Sequence, residues 1–365
     1  MKRTKHLIYI FCLVLFLNGC QGQASEEEIV TDDDQLEVIE NEGENLEKLA
    51  VTISANEARF LVDELIEIVG GEWEYDQIHR TLNMTINDDQ YYLIDGVPVL
   101  ERNGEYFPSE NVYLIVEGNE GTEEIYLPVE FLEIALGTSV VFEDEHVSFQ
   151  WMGPAERVGG PPETFHFEDW DVEQMVEYLS FLEKPIKGAQ VSTIASHLPG
   201  APRAYRNGYH EGIDWYDFAS GGGISTETPL YAMGDGVVVR ADHDFTEYAT
   251  SEERKQDLAL TAELGDTPEY IFDRLRGRQV WIQYQGGVMN RFAHLHDIPS
   301  NLQVGDRVNA DTIIGYVGNS GTSDGVAADY ERGLHLHQDL LIYGELFWKP
   351  LSQTEVQEVL ERIWD

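Results

Sequence analysis

From about residue 186 the chain consists of short β-branched runs closed by glycine: Gly236-Val237-Val238-Val239-Arg240, Val280-Trp281-Ile282-Gln283-Tyr284 and Ile313-Ile314-Gly315-Tyr316-Val317-Gly318. Runs of this length and residue choice predict an antiparallel β domain. Within it stands His335-Leu336-His337. Side chains two apart on a strand point to the same side of the sheet, so both imidazoles face one groove. His294 and His296 share that spacing, and spacing alone does not choose between them. His210 and Asp214 are separated by three residues. Gly212 between them argues against a helix, so a strand end or loop is expected, with both side chains curling toward one ion.

Together these positions offer two imidazoles and one carboxylate for a zinc ion, plus two further imidazoles for acid-base work. A catalytic zinc site needs that inventory, with one position left open. Cysteine ligands are excluded in a processed chain, because the only cysteines are Cys12 and Cys20. Cys12 lies in a segment that reads as an export signal. Lys2, Arg3 and Lys5 precede an apolar stretch from Leu7 to Leu17 that is too short to span a bilayer as a helix. Leu17-Asn18-Gly19-Cys20 then resembles the bacterial lipobox, which implies cleavage after Gly19 and a lipid anchor on Cys20. Residues 1–19 are read as this lipoprotein signal peptide.

The charge excludes a further class of partner. The 68 acidic and 23 basic side chains give a formal net charge of −45. Loss of the three basic residues of the signal leaves 20 basic against 68 acidic, net −48. Such a surface repels phosphates, so no nucleic-acid partner is expected. Residues 20–48 are read as an acidic flexible tether: residues 21–48 hold eleven acidic residues, one lysine and few large apolar groups.

Residues 49–152 carry an internal near-repeat. Ala58 to Gly71 and Leu127 to Gly137 each read as an amphipathic helix stopped by glycine and followed by a hairpin. A small α+β domain is expected, with Tyr91 to Val99 adding a strand, a turn and another strand. This pattern resembles the copper amine oxidase N-terminal-like stalk domain of Gram-positive surface proteins, without a cluster of metal-binding residues. Residues 153–185 form a connector, with helical spacing from Val172 to Leu182. The β domain that carries the histidine motifs is placed at 186–352, with a surface insertion at 242–278, and a C-terminal helix at 353–365.

The motifs after Pro229 occur in a definite order. Pro229-Leu230-Tyr231-Ala232-Met233-Gly234-Asp235-Gly236-Val237 is followed by Ala293-His294-Leu295 and Val304-Gly305-Asp306-Arg307-Val308. Ile314-Gly315-Tyr316-Val317-Gly318-Asn319-Ser320-Gly321 and Gly333-Leu334-His335-Leu336-His337 complete it. With His210 and Asp214 in front, the series resembles the lysostaphin/LytM-type zinc endopeptidases, bacterial enzymes that cut peptidoglycan peptides. The resemblance implies a mainly β fold with an antiparallel sheet and a zinc groove. It implies one Zn2+ held by His210, Asp214 and His337, and catalytic roles for His294 and His335. It leaves His296 aside. Departures from the family pattern are the long 242–278 stretch, the extended Thr322 to Arg332 segment, and Gln338 where an aromatic is common. Glu211 is a poor general base, since its side chain diverges from that of His210 on an extended strand.

The function implied is a zinc metalloendopeptidase that hydrolyses peptidoglycan peptides, anchored through Cys20 on the extracytoplasmic face of the cell membrane. The alternative is a silent LytM-type binding module that activates another wall hydrolase.

Overall fold

The computed structural model describes residues 46–54, 57–119, 121–143, 145–153 and 157–364. The signal segment 1–19, Cys20 and the tether up to residue 45 lie outside the described residues. The strand Leu46–Ala50 begins inside the segment read as tether. Among the described residues, no helix is long and apolar enough to cross a membrane.

The near-repeat folds differently from its sequence reading. Each copy opens with a strand and only then turns helical: Glu57–Leu61 into Val62–Val69, and Glu124–Pro128 into Glu130–Ile134. The two opening strands pair antiparallel with each other, Phe60 against Leu127. Their ladder hydrogen bonds override the helical spacing of Ala58 to Leu61, as tertiary pairing often overrides local propensity. The hairpins follow as expected, at Glu72–Asp76 with Thr81–Ile86 and at Val140–Glu143 with His146–Gln150. The first grows into a five-stranded antiparallel sheet ending at Glu105–Phe107. Phe60, Leu65, Leu82, Phe131 and Phe149 fill the core between these layers.

The C-terminal body is built on a mainly antiparallel seven-stranded sheet. Its main path runs Ile213–Tyr216, His335–Ile342, Val288–Ala293, Val280–Tyr284, Gly236–Ala241 and Arg307–Val308. Strand periodicity sorts the side chains between two faces. Leu336, Leu340, Ile342, Val280, Ile282, Val288 and Val238 enter the main core on one face. The helix Val172–Leu179 and the C-terminal helix Gln353–Trp364 bury Met175, Leu179, Val356 and Leu360 in that core. Asp171 starts the first of these helices with a capping box shared with Gln174, an arrangement that satisfies two helix-end amides. The connector helix is therefore part of the C-terminal body.

Leu341, Met289, Trp281 and Val239 point to the opposite face, where they pack on Ile94, Val97, Val99 and Tyr106 of the small module. Tyr106 meets Trp281 edge-on at 5.4 Å, donates its backbone N–H to Gln283 Oε1 and accepts from Arg291 at its hydroxyl. The described residues from Leu46 to Trp364 thus belong to one compact unit.

Residues 242–278 interrupt the hairpin formed by Gly236–Ala241 and Val280–Tyr284 with two helices, Ser251–Leu264 and Glu269–Arg276. The insertion is more than superficial: Thr261, Ile271 and Arg276 are buried.

Candidate metal centre

The face of the sheet that carries Leu341 at one end carries His335, His337 and Asp339 at the other. Asp214 sits opposite His337 on the neighbouring strand, and Ala293 sits opposite it on the other side, so the chain leaves that strand at His294 beside the same spot. Gly212 lets the His210–Asp214 segment lie against this strand. A Cβ there would come within 2.2 Å of the Gln338 carbonyl oxygen and 2.7 Å of Asp339 Oδ1.

Three donor atoms converge. His210 Nε2 lies 3.0 Å from Asp214 Oδ1 and 3.2 Å from His337 Nδ1, and His337 Nδ1 lies 2.9 Å from Asp214 Oδ1. All three residues are buried. The outer ring nitrogens set the tautomers. His210 donates Nδ1–H to the Leu198 carbonyl at 3.1 Å, and His337 donates Nε2–H to Asp339 Oδ1 at 2.7 Å. Each ring therefore turns its other nitrogen inward, which is how partners outside a metal's coordination shell orient histidine ligands. The donor set of two imidazoles and a carboxylate, with this spacing, is compatible with zinc.

The electrostatics favour a cation at this point. The His337 imidazole is pushed up to about 9: burial opposes the shift, but Asp339 and Asp214 outweigh it. Burial also works against ionisation of Asp214, yet His210, His337 and His335 hold its carboxyl well below the usual range. Arg203 Nη2 occupies its second oxygen at 3.1 Å. Asp339 is likewise held low against its burial by Arg276, whose Nε donates to Oδ2 at 2.8 Å, and by His337.

His294 and His335 face the same cavity, of about 560 Å³, without joining the triad. Their rings are 4.8 Å apart. His294 donates Nδ1–H to the Ser320 carbonyl at 2.7 Å, and His335 donates Nδ1–H to the Gly333 carbonyl at 2.8 Å. Both are thereby left with an unprotonated Nε2 as neutral imidazoles. Burial, joined at His294 by the neighbouring imidazoles, lowers both below the ordinary histidine value. His335 also stacks on Tyr216 at 4.3 Å. His294 adopts a left-handed backbone (φ 61°), a strained state for a non-glycine residue that the surroundings must impose. Its backbone N–H is held by the Arg276 carbonyl and its ring by Ser320.

All five sequence-predicted residues of the zinc and catalytic sets thus meet in one place. His296 is exposed, 6.4 Å from the Tyr330 ring. Glu211 is held by Arg206 at 2.6 Å. Gln338 lies in the main core, where it accepts from Trp215 Nε1 at 2.9 Å. Sequence reasoning passed over Asp339, Arg203 and Arg276. Asp339 continues the two-residue period of His335 and His337, a signal that could have found it. Arg203 and Arg276 lie on a separate strand and on the inserted helix, so no spacing marks them.

Residues 265–346 match the sequence model of Peptidase family M23, a span that includes His294, His335 and His337. The match lies in the C-terminal region, where the histidine motifs had placed the resemblance. The match does not reach His210, Asp214 or the small module. No curated protein matches the chain significantly. Among solved structures, the chain is similar to LytU, at 21% identity over 46% of this chain and 80% of that one, with a TM-score of 0.26. A zinc containing peptidase from Vibrio cholerae gives 16% identity, 72% and 56% coverage, and a TM-score of 0.28. The catalytic domain of the antimicrobial peptidase lysostaphin from Staphylococcus simulans gives 20% identity, 49% and 90% coverage, and a TM-score of 0.24.

Proposed function

We propose that the chain is a zinc-dependent endopeptidase that hydrolyses peptide bonds in peptidoglycan, held at the outer face of the cell membrane by a lipid on Cys20. The observation that carries the catalytic part is the convergence of His210 Nε2, Asp214 Oδ1 and His337 Nδ1, with two further imidazoles in the same cavity. The M23 match supports the reaction class. A zinc ion bound by the three residues supplies Lewis-acid polarisation of the scissile carbonyl and of the attacking water.

The protein's own groups do the rest. His294 and His335 turn Nε2 into the cavity, where a neutral imidazole accepts a proton from the water and returns it to the leaving amine. Their Nδ1–H bonds to Ser320 and Gly333 fix tautomer and ring plane, so neither ring must reorient as the proton moves. Tyr216 stacks on His335 and closes one side of the cavity.

The test is metal analysis beside mass spectrometry of wall fragments released by the purified full chain. One zinc per chain together with peptide-bond cleavage is expected. Stoichiometric zinc with no fragment released would instead favour a silent binding module. For the anchor, acyl labelling should be lost in Cys20→Ala; equal labelling of both forms would refute it.

A further inference from the structure

Four arginines line the cavity around the donor triad, Arg203, Arg206, Arg254 and Arg276, in a chain with three acidic side chains for every basic one. Three are neutralised by carboxylates of the protein itself. Arg203 meets Asp214 at 3.1 Å, Arg206 meets Glu211 at 2.6 Å and Arg276 meets Asp339 at 2.8 Å. Arg254 differs. Its guanidinium makes one hydrogen bond among the described residues, from Nε to the Gly321 carbonyl at 2.7 Å, and no described carboxylate lies within ion-pair reach.

That bond anchors the guanidinium at Nε, and among the described residues neither Nη group has a hydrogen-bond partner. Paired N–H groups of a guanidinium match the two oxygens of a carboxylate. The position is equally determined. Ser320 and Gly321 are consecutive: the first carbonyl holds His294 and the second holds Arg254. The Gly321 N–H is in turn bound by Glu247 Oε2 at 2.9 Å, so the inserted segment grips this loop from two sides. The cation and the proposed proton-transferring imidazole hang from neighbouring carbonyls over one cavity.

We infer that Arg254 forms a carboxylate-binding subsite, so that the peptide cut in this groove carries a free carboxylate beside the scissile bond and is not a neutral glycine chain. The inference rests on the endopeptidase reading for its substrate, but its binding test does not. Long-range repulsion of an acidic peptide by the net charge is screened over about 8–10 Å at physiological salt. A direct two-point contact inside a half-enclosed cavity is screened far less and decides the preference.

The test uses the zinc-loaded full chain with two probes: L-Ala-γ-D-Glu-L-Lys-D-Ala-D-Ala with free carboxylates, and the same peptide amidated at both. Calorimetry reads binding, and chromatography of muropeptide digests reads cleavage. Wild type should bind the free acid roughly tenfold or more tightly than the diamide, the scale of a charge-assisted contact. Arg254→Gln should bind both alike with zinc content unchanged. Arg254→Lys, which keeps the charge without the planar fork, should retain a weakened preference and replaces Arg254→Gln if that variant does not fold. Wild type binding the two probes equally, or neither, overturns the inference, as does Arg254→Gln with its preference intact. Selective, Arg254-dependent binding without cleavage of any muropeptide would sink the endopeptidase reading and leave the subsite standing. Cleavage without selectivity would do the reverse.

Discussion

The small module and the C-terminal body bury different things. Among the described residues, the module's interior is apolar apart from Arg59, Thr81, Asn103, Ser109 and Ser148, and Arg59 reaches Glu117 at 2.8 Å. The C-terminal body buries His210, Asp214, His335, His337 and Asp339 together on one sheet face, backed by Arg276. Taking an ionisable group out of water costs several kcal/mol unless partners compensate. A core needs no such cluster to pack. The contrast places the candidate metal centre in the C-terminal body.

The largest effect should come from His337→Ala, which removes one of three converging donors. Bound zinc should drop from about one per chain to near zero, with activity following, as metal analysis beside kcat would show. Zinc retained at full stoichiometry would undo the ligand assignment. His335→Ala and His294→Ala should keep zinc while turnover falls by about 10²- to 10⁴-fold, the range for losing an acid-base group. Loss of zinc in either would move that residue into the metal set. Trp281→Ala attacks the seam between the two regions and should destabilise the fold by about 3–5 kcal/mol in urea unfolding, with zinc stoichiometry unchanged in the folded protein. Stability unchanged and zinc lost would break the division of roles. For Asp339→Asn, a chelator competition should read zinc affinity weakened about 10- to 100-fold, the usual cost of altering a partner behind a metal ligand. The smallest change is expected at Ile53, 68% exposed in the small module. Ile53→Ser should move stability by less than about 0.5 kcal/mol and leave zinc and turnover alone; a large loss of activity there would give the module a part in the chemistry.

Much of the site was legible because strand periodicity is local. His335 and His337 two apart, in a chain segment of short β-strand runs, already placed two imidazoles over one groove. His210 and Asp214 were readable as a pair only once motif order supplied the resemblance, since their spacing says little alone. The near-repeat shows the opposite case. Ala58 to Leu61 suit a helix, and pairing makes them extended, on one side with Thr52–Ser54 and on the other with Glu124–Pro128, more than sixty residues away.

By itself the sequence determined the β character of the C-terminal body, the shared face of His335 and His337, and the absence of any cysteine after position 20. These depend on residue type and on a two-residue period, which any short window displays. The tertiary structure alone decided that Asp339, Arg203 and Arg276 back the candidate metal centre, that an inserted helix and His294 hang from the neighbouring carbonyls of Gly321 and Ser320, and that the small module covers the other end of the same sheet face. Each of these is a contact between segments far apart along the chain. Such contacts are selected by the packing of whole elements, which no local pattern encodes.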